Sequence, residues 1–281
     1  RSIGDVVFTL PAVNAVRENF PTAKISFLSS SENIPLLAGF REVNEVIGLD
    51  RATLRGGNPL KIVPEFARLI RRLRAGKFSL VIDLQGYGET AWLTRLTGAP
   101  QRWGSVYGKG RQWAYTLGVR RDNTQHHADR SLAILQAGGL NISTPRNHFE
   151  LPAAELKTAA AFFRQNNLDP VQRTLFIQPF TSSPQKNWPL QNYLVLARHW
   201  HSRGLQIIFG GGPADRAALE PARAEGFCIS AGPPLLVSAG LAKLSSFMLG
   251  GDSGLGHLAV AAGKRVMMVM MGNRPGFCVP F

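Results

Sequence analysis

The sequence predicts an α/β protein of two doubly wound domains, each a parallel sheet with helices on both faces. Three observations lead there. Short β-branched or apolar runs alternate with amphipathic stretches along the whole chain, the rhythm of βα units. The rhythm pauses once, over residues 141–152, where Pro145 and Pro152 read as a linker, and then restarts. The length of 281 residues suits two domains of about 150 residues each. The expected boundary separates residues 1–150 from residues 151–281.

The elements follow in chain order. Residues 6–10 are apolar and lead into Pro11, which fits the first turn of a helix over 11–19. KISFLS at 24–29 and EVIGL at 45–49 read as strands. Over 61–75, Ile62, Phe66, Leu69, Ile70 and Leu73 recur at helical spacing, and Arg68, Arg71, Arg72 and Arg74 occupy the other face. LVIDL at 80–84 is a strand of the buried type, with helices expected over 89–96 and 128–137. In the second half, helices are expected over 153–166, 190–203, 215–224 and 255–262. Strands are expected there over 174–178, 206–209, 247–249 and 266–270. Phe162 and Phe163 read as core, Trp92, Trp103, Trp113 and Trp200 as packing residues, and His126-His127 as a surface loop.

Hydrophobic residues make up 44% and charged residues 18%, which supports a core and excludes a disordered chain. The glycines have no triplet period, so collagen is excluded. Cys228 and Cys278 stand alone rather than in a C-x-x-C pair. That argues against a disulfide framework or a zinc cluster and for a reducing compartment. No apolar run approaches the about 18 residues that cross a bilayer, and a secretory signal is not expected. The opening at Arg1 without Met and the stop at Phe281 suggest that a first strand and one or two last helices lie outside the chain. The net charge is +14, of which residues 1–150 contribute +8 and residues 151–281 +6. Such a balance fits an anionic partner, whether nucleic acid, anionic lipid or a phosphorylated substrate; it also fits a charge kept for solubility.

Four motifs carry chemistry. Ile3-Gly4-Asp5-Val6-Val7 with Leu10-Pro11 puts a carboxylate in a loop before a helix, as a proton acceptor, a helix cap or a solvated loop residue. The segment 178–189 holds Thr181, Ser182, Ser183 and Lys186 between a strand and a helix that starts near Pro189. Hydroxyls and an ammonium in such a loop suit a phosphate, although a solvated turn has the same composition. Gly210-Gly211-Gly212-Pro213-Ala214-Asp215 allows close backbone approach, and Asp215 could accept from ribose hydroxyls; the turn lacks G-x-G-x-x-G spacing. Gly250-Gly251-Asp252-Ser253-Gly254-Leu255-Gly256-His257 opens an Ala-rich helix. Its N-terminus would attract an anion, Asp252 or Ser253 would cap it, and His257 could donate to a phosphate or simply pack. No histidine or cysteine has metal-ligand spacing, and G-x-S-x-G is absent.

Together these motifs resemble glycosyltransferase family 9, the ADP-heptose:lipopolysaccharide heptosyltransferases. Asp83-Leu84-Gln85-Gly86, His127-Ala128-Asp129-Arg130 and Lys186-Asn187-Trp188-Pro189 belong to the same resemblance, which runs along nearly the whole chain. It implies a GT-B fold, two Rossmann-like domains facing a cleft, with the acceptor on the N-terminal domain and the nucleotide-sugar on the C-terminal one. It implies inverting, metal-independent transfer of a heptose from an ADP-sugar, which is a substrate, so no cofactor is expected. Asp5 then looks like the general base and Lys186 like its partner in catalysis. Thr181, Ser182, Lys186, Asp215, Asp252, Ser253, Gly254, Leu255 and His257 look like donor ligands, and Gly4, Asp5 and Gln85 like acceptor ligands. The acceptor would be an anionic, lipid-linked saccharide, and the enzyme cytoplasmic or peripheral on the inner membrane face. A different donor, a GT-B epimerase or a non-catalytic polyanion binder are the alternatives. Nucleic acid is not expected, since no basic patch is interleaved with aromatics.

Overall fold

The computed structural model describes residues 2–107, 109–142, 145–271 and 279–281. Cys278 lies outside the described residues. The chain forms two compact units: one of Phe8–Leu37 and Glu42–Arg146, the other of Ser2–Val7, Ala38–Arg41 and Asn147–Phe281.

The first unit has two parallel sheets. β1 (Ser26–Ser30) pairs with β2 (Glu45–Leu49), Phe27 opposite Val46. β3 (Leu80–Asp83), β4 (Gln101–Val106) and β5 (Leu117–Arg120) lie side by side in chain order. Ile47 and Leu49 of β2 pack on Leu69 and Leu73 of the helix Pro59–Ala75 and on Leu93 of the helix Gly88–Leu96. Burying each such side chain contributes about 1.5–3 kcal/mol.

Neither β4 nor β5 was visible as a strand in the sequence. In β4 the reason is Gly104, whose missing side chain is replaced by a ring: a Cβ there would fall 2.3 Å from Cε1 of Tyr115. Tyr115 in turn donates its hydroxyl to Asp83 Oδ2 at 2.7 Å, while Asp83 Oδ1 accepts from the backbone N–H groups of Gln85 and Gly86. Burial and the adjacent Asp83 carboxylate push the Tyr115 hydroxyl's pKa far above its ordinary value. Gly86 closes this turn at φ +67°, with Ser105 O 2.3 Å from where a Cβ would stand. Tyr115→Phe leaves a buried carboxylate oxygen without its donor. It should cost about 1–3 kcal/mol, read as a lower urea midpoint; an unchanged midpoint would show that water replaces the hydroxyl.

The second unit is one parallel sheet in the order β10-β9-β6-β7-β8. Its strands are β6 (Thr174–Gln178), β7 (Gln206–Gly211), β8 (Cys228–Ala231), β9 (Phe247–Gly251) and β10 (Val266–Val269). Every residue of β6 is buried, as a central strand covered on both faces requires. Leu175 and Ile177 belong to one cluster with Tyr193, Leu194 and Ala197 of the helix Leu190–His201.

Several expectations are corrected. Residues 3–7 form a short helix, Ile3–Val7, so Asp5 is helical rather than in a loop. Residues 215–224 are not one helix but two 3-10 turns, Pro213–Asp215 and Ala217–Leu219, followed by the helix Glu220–Ala224. Pro221 has no N–H to continue a longer helix. The stretch read as a linker contains Phe149, which is fully buried: its N–H donates to Ala261 O at 2.8 Å and its ring fills the space left by Gly39. His126 is buried, not a surface residue, and caps the helix His127–Ala137, Nδ1 accepting from the Ala128 N–H. Trp103 is core, while Trp92 and Trp113 are exposed and lie on one another at 4.4 Å.

Candidate functional site

In the second unit the chain runs from β6 outward to β7 and β8, then returns to the far side of β6 for β9 and β10. The reversal falls between β6 and β9. All strands are parallel, so the loops leaving β9, β6 and β7 lie at one edge of the sheet as neighbours. Doubly wound sheets bind ligands where loops diverge at such a reversal.

The loop after β6 is held by its own polar groups. Asn187 Oδ1 accepts from the Thr181 N–H at 2.8 Å, and the Thr181 hydroxyl donates to Ser183 O at 2.9 Å. A 3-10 turn, Pro184–Lys186, then presents Lys186. Its ammonium donates to Asp252 Oδ2 at 2.7 Å, a bond from the β6 loop to the turn after β9. The two loops approach because Gly251 has no side chain: a Cβ there would sit 2.8 Å from Thr181 Cγ2. Ser182 is exposed on the same loop.

Asp252 is the centre of the cluster. Its side chain is 5% exposed, and Oδ1 lies 3.1 Å from His257 Nε2. Hydrogen bonding to His257 and then to Lys186, against the opposing effect of burial, holds its pKa down at about 2. Asp252 is therefore ionised at neutral pH, and His257 Nε2 must carry the proton that joins them. Of the two candidate caps, Ser253 is the one used: its Oγ accepts from the Gly256 N–H at 3.3 Å at the start of the helix Gly254–Ala261. Asp252 bonds Lys186 through one carboxylate oxygen and His257 through the other. Leu255 is buried in the first turn of the same helix.

The depressed Asp252 pKa has a stability consequence. A carboxylate that titrates near 2 when folded and near its ordinary 3.8 when unfolded contributes about 2 kcal/mol above roughly pH 4, lost as pH falls through about 2. Asp252→Asn should cost that amount at pH 7 and progressively less below pH 4. Urea unfolding of both proteins at pH 7 and pH 3 checks it; parallel pH profiles would refute the assignment.

The helix Ile3–Val7 belongs to this unit and rests on the start of the helix Gly254–Ala261. A Cβ on Gly254 would fall 2.6 Å from Ile3 Cβ, and one on Gly4 would fall 3.2 Å from His257 Cδ2. The close approach that Gly4 allows is thus to His257. Next to it, Asp5 is half-buried, and its Oδ2 accepts from the Ser2 N–H at 3.2 Å while Ser2 Oγ accepts from the Asp5 N–H. This reciprocal pair is a capping box, so Asp5 caps its helix with one carboxylate oxygen.

The structure thus brings Gly4, Asp5, Thr181, Ser182, Lys186, Asp252, Ser253, Gly254, Leu255 and His257 onto elements that touch. Asp215 lies on the next loop, after β7, where Oδ2 accepts from the Gly212 N–H at 2.8 Å. Gln85 is in the other unit, in the turn after β3. The sequence did not show that Ile3 seats its helix on Gly254 or that Asn187 bonds the Thr181 N–H. A polar residue six positions after Thr181 was the available signal for Asn187. Among the described residues, no group of three or more His, Cys, Asp or Glu could hold a metal ion.

The sequence model of glycosyltransferase family 9 (heptosyltransferase) matches residues 66–281. The chain is 24% identical over 274 residues to lipopolysaccharide heptosyltransferase 3 of Escherichia coli, covering 92% of this chain and 77% of that protein. Among solved structures it is similar to the glycosyl transferase family 9 protein of Veillonella parvula DSM 2008. The TM-score is 0.89 at 22% identity, over 100% of this chain and 81% of the other. It is also similar to the E. coli heptosyltransferase WaaC solved with ADP-2-deoxy-2-fluoro heptose. There the TM-score is 0.79 at 22% identity, over 98% and 88% of the two chains.

Proposed function

The chain belongs to glycosyltransferase family 9, and from that membership we propose that it moves a heptose from an ADP-sugar to an anionic, lipid-linked core saccharide, with inversion and without a metal ion. The observation that carries this reading is the Lys186–Asp252–His257 cluster at the reversal of a parallel sheet. It joins a fixed cation to the N-terminus of the helix Gly254–Ala261, at the edge where such sheets take nucleotides. The relative named as a lipopolysaccharide heptosyltransferase and the WaaC structure with an ADP-heptose analogue support the choice of sugar and nucleotide.

The proposed reaction is a single displacement at the anomeric carbon. Asp5 accepts the proton of the acceptor hydroxyl as its oxygen bonds to that carbon. The bond from the carbon to the phosphate oxygen breaks on the opposite face, and ADP leaves with the electron pair. The diphosphate gains negative charge in that step. Lys186, the N-terminal dipole of Gly254–Ala261 and the hydroxyls of Thr181, Ser182 and Ser253 stabilise it. Asp252 and His257 act by holding Lys186 and the first turn in position, Leu255 lines that turn, Asp215 serves the ribose side, and Gly4 and Gln85 serve the acceptor. Residues 1–150 would then supply the acceptor side, with Ser2–Val7 seated in the unit that holds the donor loops, and residues 151–281 the donor side.

Thermal melting with ADP, GDP and UDP, followed by incubation with the matching sugar nucleotides with and without acceptor, tests this. ADP alone of the three should raise Tm by several degrees, since a ligand at a hundred times its Kd contributes about 2.7 kcal/mol. ADP-heptose should be consumed only when acceptor is present. Stabilisation by UDP or GDP instead, turnover without acceptor, or response to no nucleotide would point respectively to another donor, an epimerase or a polyanion binder.

A further inference from the structure

We propose that the N-terminal half of the helix Pro59–Ala75 docks on an anionic lipid bilayer. The helix is about 25 Å long and its two halves differ. Leu69 and Leu73 of the C-terminal half are buried with Ile47, Leu49 and Leu93. The N-terminal half projects from that anchor: Leu60 is 84% exposed, Val63 65% and Phe66 40%. The Asn58 side chain fixes its start by accepting from the Leu60 N–H at 3.0 Å.

The outward face has a definite composition. Leu60, Val63, Ala67 and Arg71 follow one another at intervals of three or four residues and form a single stripe, and Arg74, next along it, turns its Nε to Leu96 O at 3.1 Å. It is apolar in the first half and cationic in the second. Leu69 lies about half a turn round from Leu60, so the stripe points away from the core. Arg68 pairs with Glu65 and Arg72 with Glu45. The exposed Arg55, Lys61 and Arg71 have no acidic partner among the described residues. Apolar side chains flanked by unpaired cations on an exposed helix are what an anionic bilayer surface takes up: the former enter the boundary between headgroups and acyl chains, the latter meet lipid phosphates. A second copy of the chain is the poorer occupant, since a twofold contact would set the same cations against each other.

The test is co-sedimentation of the whole protein with vesicles of phosphatidylcholine alone or with 30% (about one lipid in three) phosphatidylglycerol. These vesicles contain no acceptor saccharide and no donor is added, so the outcome is independent of the transfer reaction. The wild type should bind the anionic vesicles at least tenfold more tightly than the neutral ones. Leu60→Ser with Val63→Ser should weaken that binding about tenfold, as should Lys61→Glu with Arg71→Glu, at unchanged Tm. Val171→Ser, at a residue 90% exposed in the other unit, should change nothing. The proposal is overturned if the wild type ignores anionic vesicles or if the two double variants bind like the wild type. It is also overturned if Leu60→Ser with Val63→Ser dissociates a dimer in analytical ultracentrifugation, which would make the face a contact between copies.

Discussion

Asp5→Asn should lower kcat for sugar transfer by about a thousandfold, within the range of 10²–10⁴ that a positioned general base supplies, with donor binding altered less than twofold. The substitution isolates proton acceptance from structure. Asp5 Oδ2 accepts from the Ser2 N–H, and the amide oxygen of asparagine accepts as well. The capping box therefore survives, and with it the helix Ile3–Val7 and its seat on Gly254. What the amide cannot do is take a proton from an alcohol. Steady-state rates at saturating donor, with ADP affinity measured separately, separate the two roles. A variant that transfers sugar within a factor of three of the wild type would leave Asp5 as a helix cap and nothing more.

Lys186→Ala should lower kcat by about 10²–10³, the loss typical of removing one donor to a developing anion, and should also destabilise the protein. The second effect comes from Asp252. Its carboxylate is almost fully buried and gives up a 2.7 Å bond to the ammonium, and a buried charge that loses its partner costs about 1–3 kcal/mol or more. The two effects can be told apart with Asp252→Asn. If the lysine serves both the leaving group and the carboxylate, Lys186→Ala with Asp252→Asn should recover part of the lost stability and none of the lost rate. Recovery of both would mean that Lys186 matters only as the counterion of Asp252. Pre-steady-state transfer and urea unfolding on the four proteins of the cycle make the distinction.

Much of the fold was legible because its signals are local. β6 was found from TLFIQ, the helix Pro59–Ala75 from its apolar spacing, and the helix Gly254–Ala261 from a small-residue turn before an Ala-rich run. The helix Leu235–Leu244 was missed because LLVSAGLAKL is apolar nearly all round and has no period to read. It packs against the helix Ala153–Gln165, so closely that a Cβ on Gly240 would fall 2.9 Å from Ala159 Cβ. β8 has only CISA to show, and β4 is interrupted by the glycine that receives the Tyr115 ring. Turn chemistry likewise marked 252–253 as a cap but not which residue would serve.

From its residues alone this protein was determined to be an α/β chain of parallel sheets with its polar, glycine-rich turns after the strands, because periodicity, β-branching and turn composition act over a few neighbours. Only the tertiary structure decided that Lys186 meets Asp252 across 66 positions of chain, that His257 spends its Nε2 proton on that carboxylate, and that Ile3 and Gly4 fold back onto Gly254 and His257. These are matters of which distant groups come within about 3 Å, and strand order sets them: β6 and β9 are neighbours in the sheet though far apart in sequence.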